Sequence, residues 1–264
     1  MSPDNNFTKP LSVVLIGSGN VSTHLGKALE KSGNNILQVY SKTSQAAKLL
    51  AAKLKSTFTT NLKELNPNAD LYILSVKDDA IDSVLSQIKI NNGIIIHTSG
   101  SVDMAVFENK FKRYGVFYPL QTFSKTKKVN FKNIPICLEA NNSNVYEQLY
   151  VLANQISTKI HDIDSNQRKK LHLAAVFACN FSNYMYTISD AILTQNDIDT
   201  ELLRPLIIET ANKIKNNSPR EMQTGPAKRH DLKIIENHLK LLESFPEYHS
   251  IYQILSKSIL REYS

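Results

Sequence analysis

Apolar residues recur along this chain in two rhythms. Through the first 160 or so positions, short runs rich in β-branched side chains alternate with segments of helical periodicity; further on only the helical spacing persists. The runs predict strands at Ser12 to Ile16 (SVVLI), Ile36 to Tyr40, Leu71 to Val76, Ile94 to His97, Val116 to Tyr118, Ile134 to Leu138 and Lys159 to Ile163. Helices are expected over Val21 to Lys31, Ser44 to Leu54, Ala80 to Ile88 and Val145 to Ile156. Asn66-Pro67-Asn68 and Asn91-Asn92-Gly93 mark turns ahead of the third and fourth runs. Strand and helix in alternation, with near-continuous apolar strands, specify an α/β fold: a Rossmann-type, mostly parallel sheet covered by helices.

After about Asp164 the pattern becomes wholly helical, which places a domain boundary between residues 1–164 and 165–264. Ser165 is the expected N-cap of a long helix whose middle, Leu171 to Leu193, is apolar on most faces and should therefore be buried on several sides. Asp199 to Lys215, Lys228 to Glu243 and Glu247 to Arg261 read as further amphipathic helices. So small a helical domain is suited to being covered by a second copy, as in a homodimer.

The most informative local feature is Gly17-Ser18-Gly19-Asn20-Val21-Ser22, which follows the first strand and opens the first helix. There Gly17 makes the tight turn, Gly19 has no Cβ to hold a pyrophosphate away, and the free N–H groups of the helix start receive the anion. Ser22 stands where the fingerprint has its third glycine and is small enough for helix and strand to pack closely. The end of the second strand reads Tyr40-Ser41-Lys42-Thr43 and carries no Asp or Glu to hold an unphosphorylated ribose. Two hydroxyls and an ammonium suit a 2′-phosphate instead, so the expected cofactor is NADP. A solvated lysine in a helix-capping turn is the alternative reading of the same residues.

Composition narrows the remaining classes. The chain of 264 residues carries 31 Lys and Arg against 24 Asp and Glu, a net charge of +7. The densest basic groups, Lys125 with Lys127 and Lys128, and Arg168 with Lys169 and Lys170, are not interleaved with aromatics, which argues against a nucleic-acid partner. Two cysteines, Cys137 and Cys179, form no metal-ligand pattern, and no metal is expected. The N-terminus lacks the layout of a signal peptide and no apolar run is long enough to span a bilayer, so a cytoplasmic protein with no membrane contact is expected.

Several longer stretches carry a family resemblance. SVVLIGSGNVSTHLGKAL and ADLYILSVKDDAI (Ala69 to Ile81) resemble the N-terminal domain of pyrroline-5-carboxylate reductase and deazaflavin-dependent NADP reductases. HTSGS (His97 to Ser101), GVFYPLQTF (Gly115 to Phe123), LHLAAVFACNFSNYMY (Leu171 to Tyr186) and TGPAKRHD (Thr224 to Asp231) resemble NADP oxidoreductases that join this domain to a helical C-terminal domain of unknown function. The resemblance implies NADP bound in a cleft between a Rossmann domain and a helical dimerisation domain, with Ser75, Val76 and Lys77 running beside the cofactor.

Candidates for the chemistry follow from position. His97 and Ser99 end the fourth run and Tyr118 to Thr122 the fifth, at the edge where open α/β sheets bind ligands, so His97, Ser99, Gln121 and Thr122 are candidate substrate contacts, His97 being equally readable as a packed strand-end histidine. On the long helix His172, Val176, Asn180 and Tyr184 step by four along one stripe. His172 is the candidate proton donor or orienter and Asn180 the candidate donor of a hydrogen bond to substrate; both could equally bond to neighbouring helices. Hydroxyacid dehydrogenases of the wider superfamily usually carry a catalytic lysine four residues before such an asparagine, and Val176 holds that place, which argues against their mechanism. Arg229 would suit a substrate carboxylate or phosphate, or else pair with Asp231. Cys179 is expected in the core, and Lys169 and Lys170 in solvent. The sequence thus supports an NADP-dependent oxidoreductase reducing a small imine or carbonyl between the two domains; the alternative is a non-catalytic NADP-binding sensor or assembly module.

Overall fold

A computed structural model describes residues 9–264. Its sheet consists of β1 (Ser12–Ile16), β2 (Asn35–Tyr40), β3 (Thr57–Thr59), β4 (Leu71–Leu74), β5 (Ile94–His97), β6 (Tyr114–Pro119), β7 (Ile136–Ala140) and β8 (Ile160–Asp162), in the order β3-β2-β1-β4-β5-β6-β7-β8. Helices α1 (Asn20–Lys31), α2 (Ser44–Lys53), α3 (Ile81–Leu85) and α4 (Ser143–Asn154) connect or flank the strands. The order reverses between β1 and β4, so the strand ends there open a crevice, the usual ligand site of a doubly wound sheet. All pairs are parallel except β6 with β7, where Gly115 faces Ala140.

Alternation along β1 shows how the sheet is held. Val13 and Leu15 enter one core with Leu25, Leu29 and Leu149, while Val14 and Ile16 enter the other with Tyr72, Leu74 and Phe107. All four are fully buried because both faces are covered, and a continuous apolar run results. Strand β3 was not legible in the sequence. Its TFT is polar at two of three positions, exposed at two of three, and paired only with β2 at the sheet edge.

The strands end at Asp162, but the chain divides into two compact units later, one reaching to Cys179 and one comprising Asn180–Ser264. Helix α5 (Ser165–Ala175) is followed by a π-helical turn, Val176–Phe181, and then α6 (Ser182–Gln195). The cap of α5 is Asp164 rather than Ser165. The Asp164 carboxylate accepts from the Gln167 N–H at 2.8 Å, and the Gln167 side chain accepts from the Asp164 N–H at 3.1 Å, a reciprocal capping box. Ser165 is thereby free to point inward, where its hydroxyl accepts from the Met104 N–H at 3.0 Å and donates to the Glu139 carboxylate.

The second unit contains α6, α7 (Arg204–Lys213), α8 (Pro219–Met222), α9 (Leu232–Leu241) and α10 (Pro246–Glu262). The expectation that the apolar middle of the long helix is buried is not met within one chain. Leu173, Phe177, Phe181, Tyr184 and Tyr186 are all exposed, and in α6 only Ile188 is buried. Cys179 is likewise exposed rather than in the core. The same holds on other helices: Leu202 is 69% exposed, Leu206 61% and Leu241 76%.

Arg168, grouped in the sequence with two surface lysines, is the largest fully buried side chain. Its guanidinium pairs with Glu139 on β7 and donates to the Val102 carbonyl at 2.7 Å and to the Ser165 hydroxyl at 3.1 Å, which ties α5 to the sheet. Removing one partner of such a pair leaves the other charge stranded away from water. Arg168→Met is therefore expected to destabilise the protein by about 3–5 kcal/mol in urea denaturation, whereas Lys170→Met changes stability by less than about 0.5 kcal/mol.

Candidate cofactor and substrate site

The phosphate loop is shaped by contact with the neighbouring strand. Gly17 adopts φ +123° and its N–H donates to the Tyr40 carbonyl at 2.9 Å. A Cβ on Gly17 would stand 2.4 Å from the Ser75 carbonyl oxygen, so no other residue can bring the loop this close to β4. Gly19 is the N-cap of α1, and a Cβ there would meet nothing nearer than the Ser75 oxygen at 4.0 Å. Space above the helix start is open. No side chain caps α1 and no acid lies in its first turn, so its leading N–H groups have no protein anion to receive them. Ser22 is fully buried, as close packing of α1 on the sheet requires.

The end of β2 adjoins this loop directly. Ser18 donates from its hydroxyl to that of Ser41 at 2.8 Å. Lys42 and Thr43 are exposed in the same turn, and Thr43 is the N-cap of α2, which again has neither a side-chain cap nor an acid in its first turn. A pocket of about 220 Å³ beside it is lined by Ser18, Thr23, Thr43, Lys53 and Lys125, among others, with no carboxylate. Hydroxyls, ammonium groups and an uncapped helix start fit a phosphate dianion. Lys53 and Lys125 were not among the sequence candidates. The cluster at Lys125 was visible as charge, but only the fold carries it across the chain to Ser18.

From the loop a line of contacts runs across the strand ends. Ser75 lies under Gly17, and its hydroxyl accepts from that of Thr98 at 3.1 Å. Beyond Thr98, a Cβ on Gly100 would stand 2.6 Å from the Nδ1 of His172. That nitrogen lies 3.1 Å from the Tyr118 hydroxyl. Burial pushes the Tyr118 hydroxyl up to about 12, so it keeps its proton at neutral pH. Tyr118, in the sequence merely the start of a strand-end segment, is thus the partner of His172. Burial also raises the thiol of Cys137, opposite Tyr118 on β7, to about 11.

The remaining candidates are differently placed. His97 is fully buried and stacked on Phe107 with ring centroids 5.5 Å apart, its Nδ1 accepting from the Ser99 N–H at 3.2 Å. Burial first, and the Arg168 charge second, lower its pKa from 6.5 to about 3. Its Nε2 has no hydrogen-bond partner among the described residues. The hydroxyl of Ser99 accepts from the N–H groups of Ser101 and Val102, both at 3.1 Å, and so folds the loop after β5. Ser101 in turn donates to the Asp78 carboxylate. Val76 is partly buried and Lys77 exposed just past β4. Asn20 donates to the Phe123 carbonyl at 2.8 Å, while Val21 follows it in the first turn of α1. Gln121 and Thr122 are exposed, the Gln121 oxygen accepting from the Thr122 N–H at 2.8 Å. Asn180 and Arg229 belong to the second unit and are exposed. Asp231 caps α9 through the Ile234 N–H. The π turn breaks the phase of the His172 to Tyr184 stripe, since each of its turns takes more than 3.6 residues.

Residues 12–100 match the family model described as NADP oxidoreductase, coenzyme F420-dependent, and residues 134–259 match a domain of unknown function, DUF2520. A protein of Bacteroides fragilis, described as a putative NADP oxidoreductase, is 44% identical, with a TM-score of 0.92 over 96% of this chain and 98% of its own. The chain belongs to this NADP oxidoreductase family. Two more distant structures share its fold. One is an imine reductase of Myxococcus stipitatus in complex with NADP+ (14% identity, TM-score 0.67, 95% of this chain and 92% of that one). The other is a 1-pyrroline-5-carboxylate reductase of Streptococcus pyogenes (16% identity, TM-score 0.61, 96% and 99%). No curated protein matches the chain. Among the described residues, no helix is long and apolar enough to cross a membrane.

Two outcomes follow from the geometry. Gly17→Ala would force the loop off Ser75 and place an L-residue at φ +123°, so the variant is expected to lose nucleotide binding in a fluorescence titration along with part of its stability. The depressed pKa of His97 means that the unfolded chain takes up a proton below about 6.5 that the folded one refuses until about 3. Stability is therefore full above that window and falls as pH drops through it, levelling off beneath. His97→Gln is expected to flatten the acid side of a plot of urea midpoint against pH.

Proposed function

We propose that the chain transfers hydride from NADPH to a small imine or carbonyl substrate. The observation that carries this reading is the run of neighbours Gly17, Ser75 and Thr98, continued along the chain to Gly100 and from there to His172 and Tyr118, from a glycine loop to a protonated phenol and an imidazole. Gly17, Ser18, Gly19, Asn20 and Val21 hold the pyrophosphate on the first turn of α1; Ser41, Lys42 and Thr43, with Lys53 and Lys125, hold the 2′-phosphate; Ser75, Val76 and Lys77 flank the rest. NADPH, when bound, supplies a hydride from its nicotinamide ring. What the protein must add is a proton for the substrate nitrogen or oxygen, and the Tyr118 hydroxyl carries one, oriented by the His172 Nδ1. Ser99, Gln121 and Thr122 offer hydrogen bonds to substrate at the strand ends. His97, neutral and buried beneath them, positions Ser99. Residues 1–164 are assigned to the nucleotide and residues 165–264 to the helical region. The exposed apolar side chains of that region are assigned to a homodimer interface.

Turnover is the decisive measurement: purified protein with NADPH and a panel of cyclic imines, keto acids and oxidised deazaflavin is expected to consume NADPH with at least one. Binding without consumption across the panel would point to the non-catalytic sensor. With an active substrate in hand, Tyr118→Phe should lower kcat by about 10²–10⁴-fold with NADP affinity unchanged. Lys42→Asp should weaken NADP at least about tenfold, some 1.4 kcal/mol, more than it weakens NAD. Equal losses for both nucleotides would remove the 2′-phosphate assignment.

A further inference from the structure

A groove of the first unit between α1 and the segment that follows β6 is strongly basic. Its volume is about 810 Å³, and six lysines line it: Lys27 and Lys31 from α1, and Lys125, Lys127, Lys128 and Lys132 from the segment between β6 and β7. No Asp or Glu is among its lining residues, and none of the six lysines enters an ion pair among the described residues. Gathering like charges in a concave surface raises the local positive potential, and an anion relieves it.

The groove is a built feature rather than a loose loop. Its lysine-bearing segment is pinned to α1 by His24, whose Nε2 donates to the Ser124 carbonyl at 2.8 Å and whose ring stacks on Phe123 with centroids 5.3 Å apart. Phe123 stacks in turn on Phe131. At the far end, the Lys132 N–H donates to the Asn130 side chain and its carbonyl accepts from the Thr158 N–H. The lysines are therefore presented from backbone that is fixed at both ends.

We propose that this groove binds a polyphosphate, a small ligand bearing several linked phosphate groups, at a site separate from the cofactor. Its volume is that of a small-molecule pocket, and several ammonium groups match several phosphates as point charges. Nucleic acid fits less well, because the lining aromatics His24 and Phe131 are buried and offer no face on which a base could stack. Only Lys125 also lines the 2′-phosphate pocket; the other five lysines belong to the groove alone.

The probe is inorganic tripolyphosphate, titrated calorimetrically into the full chain with NADP at saturation, so that the glycine loop is filled. Binding is expected, weakening as salt rises, and the triple variant Lys127→Glu, Lys128→Glu, Lys132→Glu is expected to bind at least tenfold more weakly with NADP affinity within twofold of the parent. The milder triple change to Gln should give a smaller loss in the same direction. Unaltered tripolyphosphate affinity in both variants, orthophosphate binding as tightly as tripolyphosphate, or a short DNA strand binding more tightly than either would overturn the proposal. Should the chain bind no NADP at all, the same titration on Gly19→Val protein still decides the matter: heat retained there, and lost on adding the triple Lys change, supports the groove independently of the cofactor reading, and no heat refutes it.

Discussion

The close approach of Gly17 to the Ser75 carbonyl is the contact on which the geometry of the glycine turn and the start of α1 depends. A Cβ would stand 2.4 Å from that oxygen, so the turn out of β1 can be this tight only without one. Because the turn is tight, α1 starts at the mouth of the crevice with its first amides unopposed by any side chain. The dipole of a helix and its unpaired donors then act at one place, at no further cost in side-chain ordering.

Beside that loop the protein gathers positive charge from segments far apart in sequence. Lys42 follows β2, Lys53 closes α2, and Lys125 arrives from the segment after β6. An anion near Ser18 and Thr43 therefore reports on the packing of three elements, not on one turn. The lysines that in the sequence read only as excess charge are gathered here and in the groove that shares Lys125.

The pairing of His172 with Tyr118 rests on a different kind of constraint. Gly100 leaves room for His172 to reach Tyr118, and Arg168, one turn earlier on α5, holds that helix to Glu139 on the sheet. The buried charge pair is a costly way to fasten a helix, but it is directional, and direction is what a hydrogen bond between an imidazole and a phenol requires. His97, kept neutral beneath the same loop, adds no charge to compete with Arg168.

The amino-acid order alone determined the strand and helix alternation, the glycine turn and the polar residues at the end of β2, because each depends on neighbours within a few positions. It also showed an apolar α6 region, but read those side chains as a buried core. In the single chain they lie on the surface, since burial depends on what packs against a helix and not on its composition. Only the tertiary structure distinguished Arg168 from the lysines beside it, moved the cap of α5 to Asp164, paired His172 with Tyr118, and brought Lys125 to Ser18. Each of those facts joins residues separated by a crossover or a turn of the chain, and a linear pattern holds no record of which distant carbonyl, carboxylate or hydroxyl a side chain will meet.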